Sequence, residues 1–154
     1  MLRLSVLIAI FIAVAPAVSA QPVSDSALVA RIYDDLARGD VAAVAAVLDP
    51  HVIWIEDADG PQAQRHFGPG TVALFVLRPQ VDAGTADVPD AISTRRGRVL
   101  VVGTTRRRDP ETHRLGLASF THGWRVVDGR VVSVERSARR SLNTQAIERQ
   151  TPDF

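Results

Sequence analysis

The chain has 154 residues, room for one domain of ordinary size and not for two. With 46% hydrophobic and 23% charged residues it has the composition of a globular domain, which argues against disorder, collagen-like repeats and a coiled coil. It has no cysteine, and all 18 cationic side chains are arginine, so disulfides, thiolate catalysis, zinc–cysteine sites, a lipidated cysteine and a lysine Schiff base are all excluded.

Residues 4–15 are almost wholly apolar, preceded by Arg3 and followed by Pro16-Ala17-Val18-Ser19-Ala20. This is the layout of a secretory signal peptide, and it is short of the ~20 residues a spanning helix needs. Residues 1–20 are therefore expected to be cut off after Ala20. The product would be exported, periplasmic or secreted, with no stable membrane anchor. The rest is electrically divided: residues 21–90 hold 4 Arg against 11 acidic residues, while residues 91–154 hold 13 Arg against 6. The two halves should attract each other.

In residues 26–38, Leu28, Ile32 and Leu36 form the stripe of an amphipathic helix with Val29 and Tyr33 beside it, and Ser24 or Asp25 can cap it. Gly39 supplies a left-handed stop, and Asp40 caps a second helix through Val41, Val44, Val47 and Leu48, closed by Asp49-Pro50. Residues 51–56 read as a strand and 57–68 as a polar loop. A third helix from Pro69 or Gly70 carries Val72, Leu74, Phe75 and Leu77 and should end before Pro79.

Residues 88–94, 98–106, 115–127 and 130–138 read as four strands with turns at Arg96-Gly97, Asp109-Pro110 and Asp128-Gly129, which predicts an antiparallel meander. Residues 141–150 have the pattern of a weak terminal helix. Helices covering one face of a curved sheet make an α+β layer architecture. Along 119–126, alternation sends Phe120, His122, Trp124 and Val126 toward the helices, and Ser119, Thr121, Gly123 and Arg125 away from them.

Four segments together resemble the NTF2-like superfamily, in particular its SnoaL-like branch. They are Leu-Ala-Arg-Gly-Asp at 36–40, Val-Ile-Trp-Ile-Glu-Asp at 52–57, Gly-Pro-Gly-Thr at 68–71 and Phe-Thr-His-Gly-Trp-Arg-Val-Val-Asp-Gly-Arg-Val-Val at 120–132. The match runs over about residues 26–140, which makes 21–140 the domain and 141–154 a tail. The resemblance implies a cone of bent antiparallel sheet wrapped around two to three N-terminal helices. Such cones open at one end into an apolar pocket and commonly form homodimers through the outer sheet face. Members include ketosteroid isomerases, polyketide cyclases, limonene epoxide hydrolases, scytalone dehydratases and proteins without chemistry, so fold alone does not settle function.

By similarity to the isomerases, Glu56 stands where a carboxylate base ends the first strand. A carboxylate in apolar surroundings has its pKa raised and can move a proton beside a carbonyl. The plainer reading makes Glu56 the start of a solvated acidic loop with Asp57 and Asp59. His122 falls where the isomerases carry an oxyanion-hole acid, and it could donate a hydrogen bond there. The plainer reading is a core histidine satisfied by its surroundings. Tyr33 departs from the isomerase pattern, whose tyrosine position matches Ile32, one residue and ~100° away on the helix. Tyr33 is expected near the pocket mouth.

On the last strand, a two-residue turn at Asp128-Gly129 would pair His122 with Glu135, whereas a three-residue turn would pair it with Val134 and turn Arg136 inward. An inward Arg136 facing Glu56 would make that carboxylate a binding group for a polar substrate in place of a tuned base. Trp54, Trp124, Phe75 and Phe120 are expected as walls contacting a substrate, with core packing the plainer reading of the two tryptophans.

His51, His66, His113 and His122 lack the spacing of a local metal pair, and neither a nucleophile elbow nor a phosphate-binding glycine pattern occurs, so no metal and no cofactor are expected. The arginine clusters at 95–98 and 106–108 are not interleaved with aromatics, and nucleic acid is not an expected partner. Two functions stay open: a cone that binds a small apolar molecule and performs acid/base isomerase, cyclase, dehydratase or epoxide-hydrolase type chemistry with Glu56 and His122, or a non-catalytic ligand-binding or dimerisation module.

Overall fold

The computed structural model describes residues 24–138; the expected signal segment 1–20 and the tail 141–154 lie outside the described residues. Helix α1 (Asp25–Ala37) is capped by Ser24, whose side chain accepts from the Ala27 N–H. Gly39, at φ +74°, turns the chain into α2 (Val41–Val47), where the Asp40 carboxylate accepts from the Ala43 N–H at 2.9 Å. Both caps fall where the sequence places them.

Strand β1 (Leu48–Glu56) follows directly, three residues earlier than the sequence suggests. Leu48 already pairs with Val131, and Pro50 falls in the irregular stretch between Leu48 and Ile53 where the ladder is broken. The loop expected at 57–68 contains a short strand, β2 (Gln64–Phe67), paired antiparallel to the end of β1. Its four residues lack an apolar alternation; the pairing itself holds them.

The third helical run passes through Pro79 and does not stop before it. It comprises α3 (Pro69–Val72), a π-helical stretch (Ala73–Leu77) and α4 (Arg78–Asp82). Proline has no N–H for the carbonyl one turn back, and its ring crowds that carbonyl. The run widens immediately before it, with the Arg78 N–H reaching back to the Ala73 carbonyl.

Strands β3 (Ala86–Arg95), β4 (Arg98–Arg108), β5 (Leu115–Val127) and β6 (Arg130–Ala138) form the antiparallel meander. The sheet order is β2-β1-β6-β5-β4-β3, and β1 runs parallel to β6, so the sheet is mixed, not wholly antiparallel. It is an α+β fold in which the curved sheet wraps the helices. Val29 and Ile32 of α1, Leu77, and Val101, Trp124 and Val134 of the sheet are buried together. Gly103 sits opposite Phe120 on β4, and a Cβ there would lie 2.2 Å from the Val88 carbonyl oxygen and 2.6 Å from the Phe120 ring. The absent side chain lets that ring lie across the sheet.

Candidate functional site

The last hairpin decides what faces the interior. Asp128 and Gly129 have φ of 50° and 73°, a two-residue turn of the primed kind that suits twisted strands, and Val127 pairs with Arg130. A bulge follows: Val126 pairs with Val131 but Arg125 pairs with Ser133, which leaves Val132 as the extra residue. His122 therefore pairs with Arg136, and neither Glu135 nor Val134 stands opposite it as the two expected turns would have it. The bulge restores the parity that turns Arg136 inward.

Inside, the Arg136 guanidinium is held from several sides. Its Nε–H donates to His122 Nε2 at 3.2 Å, one terminal nitrogen donates to Glu56 Oε1 at 3.1 Å and to Gln80 Oε1 at 3.0 Å, and the other donates to Asp87 Oδ2 at 2.5 Å. Its carbon lies 5.9 Å from the Trp54 ring centroid. The planar fork of arginine makes this set of contacts possible, and a lysine ammonium could not reproduce it. Asp87 is fixed in turn by Thr105, whose hydroxyl donates to Oδ1 at 2.5 Å, and by the Gln80 amide at 2.9 Å. The acidic first half thus supplies both carboxylates that hold an arginine of the basic second half.

Arginine Nε always carries its proton, so His122 Nε2 accepts and the ring proton sits on Nδ1. That N–H points at Tyr33 Oη, 2.7 Å away, which also accepts from Trp124 Nε1 at 3.2 Å. Burial, with the Arg136 charge adding to it, pushes the His122 pKa down to about 2, and burial raises that of Tyr33. His122 is a neutral acceptor for Arg136. Tyr33 is not at the mouth: it lies 4% exposed in the interior, beside the equally buried Ile32. Phe120 stacks on the His122 ring with centroids 4.1 Å apart, and Trp54 meets Trp124 edge-on at 5.5 Å. Phe120, Trp54 and Trp124 are interior packing.

Arg136 and its partners occupy the interior beside His122, and a cavity of about 260 Å³ opens outside them, at the mouth. Glu56, Gln64, His66, Phe75, Gln80 and Arg136 are among its lining residues, whereas His122 is not. Glu56 and His122 therefore meet on Arg136, at different nitrogens of it, and not on a shared cavity. Glu56 Oε1 accepts from Trp54 Nε1 at 2.6 Å as well as from Arg136. Its Oε2 has no hydrogen-bond partner among the described residues. Phe75, carried on the π-helical stretch, is 62% exposed at the rim. Among the described residues, no three His, Cys, Asp or Glu side chains come together as a metal site.

Asp87, Gln80 and Thr105 were not singled out in the sequence. Asp87 lies one residue before the expected start of its strand. Gln80 follows buried Val76 by one helical turn across Pro79, a signal hidden by the expected helix stop.

No family model matches the sequence, and no curated protein matches it. Solved structures do. An NTF2-like protein from Burkholderia thailandensis is 24% identical with a TM-score of 0.64, covering 82% of this chain and 95% of its own. A putative polyketide cyclase from Sinorhizobium meliloti is 17% identical with a TM-score of 0.59, covering 71% and 93%. SalBIII, an epoxide hydrolase/cyclase-like enzyme in pyran ring formation in the polyether salinomycin, is 15% identical with a TM-score of 0.63, covering 73% and 88%. The fold is the NTF2-like fold of the SnoaL type.

Proposed function

We propose that the chain binds a small molecule at the mouth of its cone, and that Glu56 Oε2 is the group that meets it. The asymmetry of that carboxylate carries the reading. One oxygen is gripped by Trp54 and Arg136, the other has no partner among the described residues, and the side chain lines the cavity. A carboxylate anchored in this way keeps its orientation when a ligand arrives. Phe75 and Val76 offer an apolar wall, so the ligand has an apolar body with a polar end turned to Glu56.

Proton transfer at Oε2 is the chemistry such a group supports, in an isomerisation, cyclisation, dehydration or epoxide opening. The likeness to the hydrolase/cyclase-like SalBIII supports this reading. Non-catalytic binding is the second reading, favoured by Arg136 filling the interior where a reaction cavity would otherwise lie. A thermal-shift screen against ketones, lactones, epoxides and steroids tests the site. A binder is expected to raise the wild-type Tm by several degrees and to lose that effect in Glu56→Gln. The same shift in both proteins, or no shift from any compound, would refute the site.

The export reading rests on residues 1–20. Intact mass of protein recovered from outside the cytoplasm of a bacterial host is expected to match a chain beginning at Gln21; retention of Met1 in the cell would contradict it. We also propose a homodimer through the outer sheet face, along which the exposed apolar residues Val102, Leu115, Leu117 and Val127 are spaced, with exposed Arg125 among them. Light scattering at micromolar concentration should give twice the chain mass. A monomer there would remove the dimer from the account.

A further inference from the structure

The charge balance of the mouth names a ligand class. We propose that the site selects an organic cation, a primary ammonium on an apolar or aromatic body, in preference to a neutral or anionic molecule of the same shape. This rests on the reading of the mouth as a binding site and adds the sign of its ligand.

Among the described residues Arg136 is the only cation of the network, and it is shared by two carboxylates, Glu56 at 3.1 Å and Asp87 at 2.5 Å. His122 adds no charge, because its Nε2 is an acceptor for Arg136. The set of four groups therefore carries one net negative charge. Four of the five Arg136 N–H bonds already have acceptors among the described residues, so the guanidinium has little left to offer an anion. Gln80 is spent in the same way: its oxygen accepts from Arg136 and its nitrogen donates to Asp87.

Of the charged groups in the network, the one that lines the cavity with capacity to spare is Glu56, whose side chain is 31% exposed and whose Oε2 has no partner among the described residues. An ammonium supplies three donors and the charge that the network lacks. Across the rim, Phe75 presents an exposed ring, the second element of a cation site: a π face or an apolar wall for the body of the ligand. An anion could take donors from Gln64, His66 and Thr85, which also line the cavity, but it would meet the net negative charge of the set with one spare Arg136 N–H. A neutral alcohol would make a single hydrogen bond to Oε2 and leave the charge uncompensated.

The test uses three probes of one shape, benzylammonium, benzyl alcohol and benzoate, titrated separately into the ¹⁵N-labelled protein at low salt. The Trp54 indole N–H, which is bonded to Glu56, reports arrival at the site. The proposal expects benzylammonium to shift that signal saturably and to bind at least tenfold more tightly than either other probe. Glu56→Gln should weaken benzylammonium at least tenfold and so erase its preference over benzyl alcohol. Benzoate or benzyl alcohol binding at the Trp54 signal as tightly as benzylammonium would overturn the cation class and leave the mouth standing as a site. No shift from any of the three would overturn the site and the ligand class together.

Discussion

Arg136→Met is expected to destabilise the protein by about 3–5 kcal/mol in urea unfolding, because it removes the one cation between two carboxylates. The Asp87 side chain is 3% exposed, and that of Arg136 is 14% exposed. Stripped of the guanidinium, Asp87 would keep only Thr105 and Gln80 as donors, and His122 would lose the donor to its Nε2. A second set of variants separates lost charge pairing from lost packing. Adding Asp87→Asn and Glu56→Gln to Arg136→Met neutralises the stranded carboxylates and should recover part of the loss, while the same two changes made on wild type should cost stability. A loss below about 1 kcal/mol for Arg136→Met would mean that the network is peripheral to the fold.

The second large effect is on pH. His122 titrates at about 2 in the folded protein against about 6.5 in an unfolded chain, so between those values the unfolded state binds a proton that the folded state refuses. Its contribution to stability is therefore complete above pH 6.5 and is lost as pH falls toward 2. The loss is about 1.4 kcal/mol per pH unit, or roughly 3 kcal/mol by pH 4.5. His122→Gln keeps an acceptor for Arg136 but cannot bind that proton. Its unfolding free energy should fall less steeply than that of wild type between pH 6.5 and 4.5, the difference in slope approaching the same 1.4 kcal/mol per unit. Parallel slopes would mean that His122 is not buried in neutral form.

Much of the frame was legible in local chemistry. Ser24, Gly39 and Asp40 mark the helix ends because capping and positive φ are properties of single residues, and alternation on β5 placed Phe120, His122 and Trp124 inside. The features that were missed depend on distant partners. Val131 and Val132 are both apolar, so alternation cannot say which one leaves the ladder, and the bulge that sets the His122–Arg136 pairing is invisible locally. Asp87 reads as a loop acid until its pairing with Thr105 turns it inward. Gln64 to Phe67 become a strand only because β1 has an open edge to offer.

Likewise, Glu56 and His122 were each identifiable as candidates, and an inward Arg136 facing Glu56 was one of the two readings of the hairpin, but that the same guanidinium also bonds His122 and separates the two was not legible. That separation divides their roles. Glu56 faces the cavity, and His122 orients the arginine that holds it.

The most direct test of this arrangement is a ¹⁵N NMR titration of the His122 ring from pH 7 to pH 4. The account predicts a neutral ring throughout, protonated on Nδ1 and bare on Nε2, with Nε2 coupled through its hydrogen bond to Arg136 Nε. A ring that takes a second proton with a midpoint near pH 6 would contradict it, because an imidazolium cannot accept from Arg136 and the guanidinium would have to lie elsewhere.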